Sequence, residues 1–149
     1  MCDVTIRVMT IDDYDQIYDL WIHTPGMGLN NLDDSRDGIA RYLKRNPTTC
    51  FAALQGGKIV GVILSGHDGR RGYIHHTAVA VQARRKGIAA GLVSHAMEAL
   101  KREGIHKVAL VAFERNLEGN AFWESQGFSV REDLVYRNKN ISELIRMDT

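Results

Sequence analysis

The chain has 149 residues, of which 44% are hydrophobic and 25% are charged, the proportions of one ordinary globular domain. We therefore expect a single domain over residues 1–149, with disorder confined to the tip Arg146–Thr149. Nineteen basic and eighteen acidic side chains leave a formal net charge of +1, so no global field favours nucleic acid as a partner.

The N-terminal part of the chain predicts a strand, a helix and a loop. Val4–Met9 alternates apolar and polar residues as a strand does, and Thr10 with Asp13 can cap the helix that follows. The apolar residues of that helix recur at helical spacing: Ile11, Tyr14, Ile17, Tyr18 and Trp21. Residues 23–34 have no period and contain proline and glycine, so we predict a loop.

A second helix and three strands occupy the middle of the chain. Ser35 can cap the helix, which ends before Pro47 because the residue preceding a proline is pushed out of the helical region. The three predicted strands are Thr49–Leu54, Lys58–Ser65 and Tyr73–Val81. Gln55–Gly57 is a hairpin signal between the first two strands, and residues 67–72 form a turn into the third.

The strongest helical pattern begins at Gly87 and stops at Gly104. Its apolar stripe consists of Ile88, Ala89, Leu92, Val93, Ala96, Met97 and Leu100. A buried strand, a short helix and two closing strands follow: Lys107–Phe113, Glu118–Gln126, Phe128–Arg131 and Leu134–Arg137. An antiparallel meander followed by a strand–helix–strand crossover predicts an α/β (α+β) fold with a mixed sheet and helices on its faces.

The segment Ala83–Gly91, ARRKGIAAG, places three cations before a helix start with little side-chain bulk. A helix N-terminus carries unpaired N–H groups and a positive dipole, both of which favour an anion. Gly87 permits any backbone conformation and close approach, while Arg84, Arg85 and Lys86 add charge. The segment therefore predicts a diphosphate site.

Two familiar nucleotide motifs do not fit this segment. The Walker pattern needs a lysine and then Ser or Thr after its second glycine, whereas Gly91 is followed by Leu92. A dinucleotide fingerprint needs G-x-G-x-x-G, whereas the glycines here are Gly87 and Gly91 alone. The pattern that remains is R-x-x-G-x-A, formed by Arg84, Gly87 and Ala89.

With the strand before it, and with Asn116 and the sequence FWESQGF after it, this pattern resembles the GCN5-related N-acetyltransferase (GNAT) superfamily. The resemblance covers the whole chain and is strongest toward small bacterial acetyltransferases near the ribosomal-protein N-terminal acetylases. It implies a mostly antiparallel, twisted sheet with one splayed parallel strand pair and helices on both faces. It further implies direct transfer of an acetyl group from acetyl-CoA, the cosubstrate, to a primary amine of a small molecule or peptide in a ternary complex, without a metal.

The resemblance also implies which residues bind acetyl-CoA. In the family, the strand before the loop contacts the pantetheine arm and thioester, which assigns Val79 and Val81 here. The loop and helix start hold the pyrophosphate, which assigns Arg84, Arg85, Lys86, Gly87, Ile88, Ala89 and Ala90. Asn116 matches an asparagine that contacts the cofactor arm, and Trp123 is expected to line the site.

An amine must be neutral to attack a thioester, yet an amine with a pKa near 10.4 is mostly protonated at pH 7, so a base is useful. In the ribosomal-protein acetylases the residues matching Val111 and Trp123 are a glutamate and a tyrosine. Neither valine nor an indole can replace them in proton transfer. The backbone N–H of Val79 is the expected donor to the oxyanion.

Two histidines follow each other in the strand before the loop. In arylalkylamine acetyltransferases, two histidines occupy the positions matched here by Tyr73 and His75. We therefore assign the base to His75, with Tyr73 beside it, because histidine titrates near neutrality. In an unbroken strand Tyr73, His75 and Thr77 share a face, whereas a bulge would favour His76 instead. A structural role for both histidines stays open.

The acceptor is the least constrained part of the interpretation. By resemblance, the region 21–34 covers the acceptor site. We interpret Asp33 and Asp34, with Arg36, as a charged surface turn, and they would meet a cationic amine only if the loop folds over the thioester. The missing glutamate and tyrosine motivate an alternative, a non-catalytic sensor that binds acyl-CoA. Dimers are common among relatives, and the sequence leaves a homodimer open.

The cysteines and the N-terminus bear on location. Cys2 and Cys50 show no pairing pattern, which indicates free thiols in a reducing compartment. The N-terminal MCDVTIRVMT lacks the apolar region of a secretory signal, and no apolar run approaches the length of a membrane span. We expect a soluble cytoplasmic protein without a membrane partner.

Overall fold

The computed structural model describes residues 3–148, which form one mixed sheet flanked by helices. The elements are β1 (Val4–Val8), α1 (Tyr14–Ile22), α2 (Arg36–Arg45), β2 (Phe51–Gln55), β3 (Lys58–His67), β4 (Gly72–Val79), α3 (Ile88–Arg102), β5 (Val108–Leu110) and α4 (Leu117–Ser125). The strand order is β1-β2-β3-β4-β5. Neighbouring strands are antiparallel except for the parallel pair β4 and β5. The predicted fold class is therefore confirmed.

The sheet is covered on both faces, and β3 shows why. Its residues alternate between two hydrophobic clusters, because successive side chains of a strand point to opposite sides. Val62 and Leu64 join the cluster that contains residues of α1 and α2, whereas Ile63 between them joins the cluster of α3. Most of the predicted stripe of α3 is buried, but Met97 is 36% exposed and is not part of the core.

The predicted helix starts are present in the structure. The backbone N–H of Thr10 donates to the carboxylate of Asp13 (2.9 Å), which also receives two bonds of 2.8 Å from the guanidinium of Arg7. That hydrogen-bonded guanidinium lowers the pKa of Asp13. Ser35 caps α2, because its Oγ accepts a bond of 3.0 Å from the N–H of Gly38.

The predictions for the C-terminal third are wrong in detail. β5 is three residues long and half-buried, not a buried strand over Lys107–Phe113. The two predicted closing strands, Phe128–Arg131 and Leu134–Arg137, do not form, and apart from the half-buried Phe128 their apolar side chains are exposed. Alternation produces a strand only where another strand offers pairing. Further along the chain, residues 145–148 form hydrogen bonds with the loop between α1 and α2.

The end of the chain is ordered by that contact, contrary to the disorder predicted for Arg146–Thr149. A short antiparallel bridge pairs Arg146 with Asn30, and the carboxylate of Asp148 accepts bonds of 2.9 and 2.8 Å from two backbone N–H groups of the loop. Thr149 lies outside the described residues. The tail thus fastens the loop at residues 23–35, which we call the α1–α2 loop.

Cys50 is a buried structural residue. Its Sγ donates to the carbonyl oxygen of Ser65 at 3.1 Å, and burial raises the pKa of the Cys50 thiol to about 12. A thiol that holds its proton is a poor nucleophile. Cys2 lies outside the described residues. Across residues 3–148, no helix has the length and apolar character needed to cross a bilayer.

Gly38→Ala tests how α2 meets the α1–α2 loop. Helix propensity alone predicts that alanine stabilises this position by about 1 kcal/mol. A Cβ at Gly38 would, however, collide with the backbone oxygens of Leu32 and Asp33, so we expect a loss of about 1–3 kcal/mol in the free energy of unfolding by urea.

Gly91→Ala is the matched control within α3. There the added methyl would meet only the Cδ1 of Ile6, at 3.0 Å, and a side-chain tip can move aside. We expect Gly91→Ala to cost less than Gly38→Ala. An equal or larger loss would show that the collision does not govern stability at position 38.

Candidate active site

A cavity opens where β4 and β5 part. The parallel pairing ends at Ile74 and Leu110, whereas β4 continues to Val79. Beyond this point the cavity, of about 380 Å³, is walled by the α1–α2 loop, the end of β4, the segment 84–90 and α4. This volume is within the range of small-molecule sites. Two strands that separate expose backbone groups that a continuous sheet would pair.

Most of the residues assigned to acetyl-CoA lie around this cavity. Those that line it are Val79, Arg84, Arg85, Gly87, Ile88, Ala89, Ala90, Asn116 and Trp123. Thr24, Pro25 and Met27 also line it, and they belong to the region 21–34 that the resemblance assigns to the acceptor site. The sequence reasoning missed other lining residues, among them Thr77 and Glu118. Glu118 was missed because α4 is distant in sequence from the R-x-x-G-x-A motif.

The segment 84–90, which we call the anion-binding loop, has the backbone that its sequence predicts. Gly87 precedes α3 with φ = 77°, and a Cβ built there would meet no atom within 4 Å. Arg85 has φ = 64°, the one positive φ of a non-glycine residue within 3–148. Such strain is common at ligand-binding loops. The start of α3 therefore offers unpaired N–H groups beside open space, which fits a diphosphate.

Arg84 ties the anion-binding loop to the end of β4. Its Nε donates to the carbonyl oxygen of Val79 at 3.2 Å. The N–H of Ala80 donates to the carbonyl oxygen of Val60 on β3 at 2.8 Å. Because the backbone groups of successive residues in a strand point to opposite sides, those of Val79 point away from β3. The N–H of Val79 thus faces the side of the strand on which β4 and β5 have separated.

Two assigned residues lie apart from the cavity. β4 ends at Val79, not at Val81 as predicted, and Val81 begins a 3-10 turn with 69% of its surface exposed. Lys86 is exposed and does not line the cavity. After Val79 the chain leaves the sheet and enters the anion-binding loop, so Val81 is not part of the strand that walls the cavity.

α4 supplies the wall opposite β4. Asn116 caps the helix, because its Oδ1 accepts a bond of 3.0 Å from the N–H of Gly119. Trp123 packs edge to face against Phe122 and Phe128, with ring centroids 5.1 and 5.3 Å apart. Both residues therefore have a structural reason for their position as well as access to the cavity.

Thr77 brings an unused hydroxyl to the cavity. Its Oγ1 is buried and has no hydrogen-bond partner within residues 3–148. A buried polar atom without a partner is costly. The hydroxyl is therefore available to a polar group of a ligand bound beside the end of β4.

A bulge in β4 changes the predicted faces of the strand. Ile63 pairs with Thr77, but Ser65 pairs with Ile74, so His75 and His76 lie together opposite a single residue of β3. The predicted sharing of one face therefore holds for Tyr73 and His75, whose ring centroids are 4.6 Å apart, but not for Thr77. Both histidines contact the α1–α2 side, where Tyr42 and Trp21 meet their rings.

His75 packs beside two aromatic rings but is exposed to solvent. Its ring lies 5.4 Å from that of Tyr42 and 4.6 Å from that of Tyr73. Desolvation, reinforced by the neighbouring His76, lowers the pKa of His75 to about 4. The shift is away from the near-neutral ionisation expected of this residue, and neither His75 nor Tyr73 lines the cavity. Its assignment as the base stays a prediction.

Asp34 is buried, contrary to the predicted surface turn. Its side chain is 6% exposed, and its Oδ1 lies 2.7 Å from Nε2 of His76. Asp33, by contrast, is exposed and contacts the side chain of Asn30. No sequence spacing links Asp34 to His76, because the contact joins a loop to a distant strand.

The α1–α2 loop is held against the cavity by the tail. The carboxylate of Asp148 accepts bonds from the N–H groups of Gly28 (2.9 Å) and Leu29 (2.8 Å). Gly28 has φ = 72°, a conformation that favours glycine, and a Cβ built there would make only an ordinary contact of 3.6 Å with the ring of Phe113. Arg146 of the tail lies over the same ring, with its guanidinium 5.1 Å from the centroid.

The site residues provide no metal centre. Within residues 3–148, no three His, Cys, Asp or Glu side chains are grouped to hold a metal ion. The chemistry available here consists of backbone donors, cations at the helix start and the two histidines of the bulge.

Comparison with known proteins agrees with this geometry. The sequence pattern of the acetyltransferase (GNAT) family matches residues 14–128. An acetyltransferase of Pectobacterium atrosepticum is 32% identical over 111 residues, which cover 74% of this chain and 77% of that protein. These matches give no support to a non-catalytic sensor.

Solved structures share the fold. The ribosomal-protein-alanine N-acetyltransferase of Brucella melitensis superposes with a TM-score of 0.68 at 20% identity, over 93% of this chain and 99% of that one. The diaminobutyrate acetyltransferase of Paenibacillus lautus, solved with L-2,4-diaminobutyric acid and coenzyme A, gives a TM-score of 0.71 at 21% identity, over 85% and 75% of the two chains.

His75→Gln tests the lowered pKa of the histidine. In the unfolded chain His75 binds a proton below its ordinary pKa of about 6.5, whereas in the folded protein its pKa is lowered to about 4. Between these two values the unfolded state binds more protons than the folded state, so lowering the pH through this window destabilises the fold. We expect the unfolding free energy of the wild type to drop between pH 6.5 and 4 more than that of His75→Gln. His23→Gln, at a 72% exposed histidine, should behave as the wild type does, and equal slopes in all three proteins would contradict the lowered pKa of His75.

Asp148→Ala tests the fastening of the α1–α2 loop. Loss of two bonds to a carboxylate should speed hydrogen exchange at the N–H groups of Gly28 and Leu29 by about tenfold or more, because each such bond contributes about 1.5–3 kcal/mol. Asp133→Ala removes an exposed aspartate paired with Arg131 and should leave those two rates unchanged. Unaltered exchange in Asp148→Ala would rule out the fastening role.

Proposed function

Because the chain belongs to the acetyltransferase (GNAT) family, we propose that its cavity is the site where acetyl-CoA meets an acceptor amine. The protein is an acetyl-CoA-dependent N-acetyltransferase. The observation that carries the assignment of the site is the continuity of one cavity from the anion-binding loop to the end of β4. A diphosphate bound at the anion-binding loop and a thioester bound at the end of β4 correspond to the two chemical ends of acetyl-CoA.

Different residues along the cavity bind different parts of acetyl-CoA. The N–H groups at the start of α3, with Arg84 and Arg85, hold the pyrophosphate, and Asn116 and Trp123 border the arm. The N–H of Val79 faces the opening and donates to the developing oxyanion. Acetyl-CoA supplies the activated acetyl group. Contacts from Val81 and Lys86 stay predictions.

The acceptor enters, in this proposal, from the α1–α2 loop. Thr24, Pro25 and Met27 of that loop line the cavity opposite the anion-binding loop, so an amine can approach the thioester without crossing the phosphates. The diaminobutyrate acetyltransferase acts on a small diamine, which supports a small primary amine over a folded protein surface. A peptide end stays an alternative. A cytoplasmic location and a homodimer also stay predictions.

Gly87→Glu tests the cofactor end of the cavity. The substitution places bulk and negative charge in the open space at the helix start, where repulsion from a diphosphate is expected to weaken binding of acetyl-CoA by roughly 100-fold. Isothermal titration calorimetry measures the change.

Gly57→Glu is the matched control for that variant. Gly57 lies in the β2–β3 turn with φ = 76° and likewise has no atom within 4 Å of a built Cβ, so backbone strain and added charge are the same. Wild-type affinity in Gly57→Glu together with wild-type affinity in Gly87→Glu would refute the assignment of the anion-binding loop.

Release of free CoA thiol in the presence of different amines tests the reaction itself. The panel contains L-2,4-diaminobutyrate, other small diamines and a peptide with a free N-terminus. We expect saturable turnover with small amines. Tight binding of acetyl-CoA without transfer to any of these acceptors would count against the proposed substrate class.

A further inference from the structure

A buried pair, His76 and Asp34, lies beside the cavity and has no part in the binding of acetyl-CoA described above. The Nε2 of His76 is 2.7 Å from the Oδ1 of Asp34, and the two side chains are 15% and 6% exposed. A carboxylate accepts hydrogen bonds and cannot donate them. The proton of the neutral ring therefore lies on Nε2, and Nδ1 has a free lone pair.

Both members of the pair are fixed from several directions. The Oδ2 of Asp34 accepts a bond of 2.8 Å from the N–H of Asn30, and its backbone oxygen accepts one of 2.6 Å from the hydroxyl of Tyr14. The fully buried indole of Trp21 meets the ring of His76 edge to face, with centroids 5.0 Å apart. The orientation of the imidazole is thus set by packing as well as by the carboxylate.

The pair lies behind the cavity wall and does not line the cavity itself. Its neighbours do: Thr77 is the next residue along β4, and Pro25 and Met27 belong to the loop that carries Asp34. The bulge turns His76 toward this loop. Among residues 3–148, no side chain or backbone group forms a hydrogen bond with its Nδ1.

His75 lacks this arrangement. Its ring packs beside two tyrosines, and it makes no hydrogen bond to a carboxylate within residues 3–148. A histidine that must accept and then release a proton benefits from a fixed tautomer and from a nearby negative charge. Of the two histidines in the bulge, only His76 has both.

We propose that His76 accepts the proton of the acceptor amine at Nδ1 through a water, and that Asp34 is the positioning residue that fixes its tautomer. The proposal rests on the acetyl transfer proposed above. The amine nitrogen bonds to the thioester carbon as the carbon–sulfur bond breaks. The nitrogen releases one proton to Nδ1, which passes it to solvent, and the departing thiolate takes a proton from solvent.

Asp34→Asn tests the positioning role by kinetics, with L-2,4-diaminobutyrate or the fastest amine of the panel as acceptor. We expect kcat to fall by about 10- to 100-fold, the lower range of general-base effects, with the KM for acetyl-CoA unchanged. Asp33→Asn removes the same charge from the neighbouring exposed residue, which does not contact His76, and should keep the wild-type kcat.

His76→Gln and the double variant separate catalysis from packing. His76→Gln should lose at least as much kcat as Asp34→Asn, and the double variant should lose little more, because the two residues act as one unit. A purely structural pair would lower Tm but leave the kcat of the folded protein unchanged. Equal kcat in Asp34→Asn and Asp33→Asn, or a wild-type kcat in His76→Gln, would overturn the proposal.

A second measurement needs no substrate. Long-range proton–nitrogen NMR spectra of protein labelled with 15N-histidine report which ring nitrogen carries the proton, and His75→Gln assigns the two signals of the bulge. We expect His76 to be protonated at Nε2 in the wild type and to lose that preference in Asp34→Asn. Protonation at Nδ1 in the wild type would overturn the proposal, even where no amine is acetylated and the proposed acceptor class has failed.

Discussion

The site depends on the point in β4 where its regular pairing with both neighbouring strands ends. At Ile74 its pairing with β5 ends, and in the next two residues an extra position is inserted against β3. The first change opens a cavity between two strands, and the second turns two histidines toward the same helices. A β4 that was paired regularly on both edges would have no space for a ligand and would bury its backbone donors in the sheet.

The two ends of the cavity have different supports. The anion-binding loop leads into α3, whose buried stripe packs on the sheet, so its geometry follows from the hydrophobic core. The α1–α2 loop has little regular structure and is held by polar contacts: His76 and Tyr14 bind Asp34, and the tail binds the loop at Gly28 and Leu29. One end is thus fixed by packing and the other by hydrogen bonds.

The sequence predicted the parts of the site that depend on local backbone chemistry. A helix start with cations and a glycine is recognisable from nine residues, and Gly87 does adopt the left-handed conformation. The bulge at His75 and His76 could not be predicted, because it arises from the register with β3. The burial of Asp34 was missed since its partner is 42 residues away. The closing strands failed for a related reason, as alternation does not reveal whether a partner strand exists.

The tail has an evolutionary consequence. It fastens the α1–α2 loop from outside the sheet, through residues that are 114 to 120 positions distant from the loop they hold. Substitutions there can shift this loop without disturbing the core or the anion-binding loop. Under the function proposed above, a lineage can therefore change the range of amines it accepts while the residues that bind acetyl-CoA stay the same, and the two halves of the reaction are free to diverge at different rates.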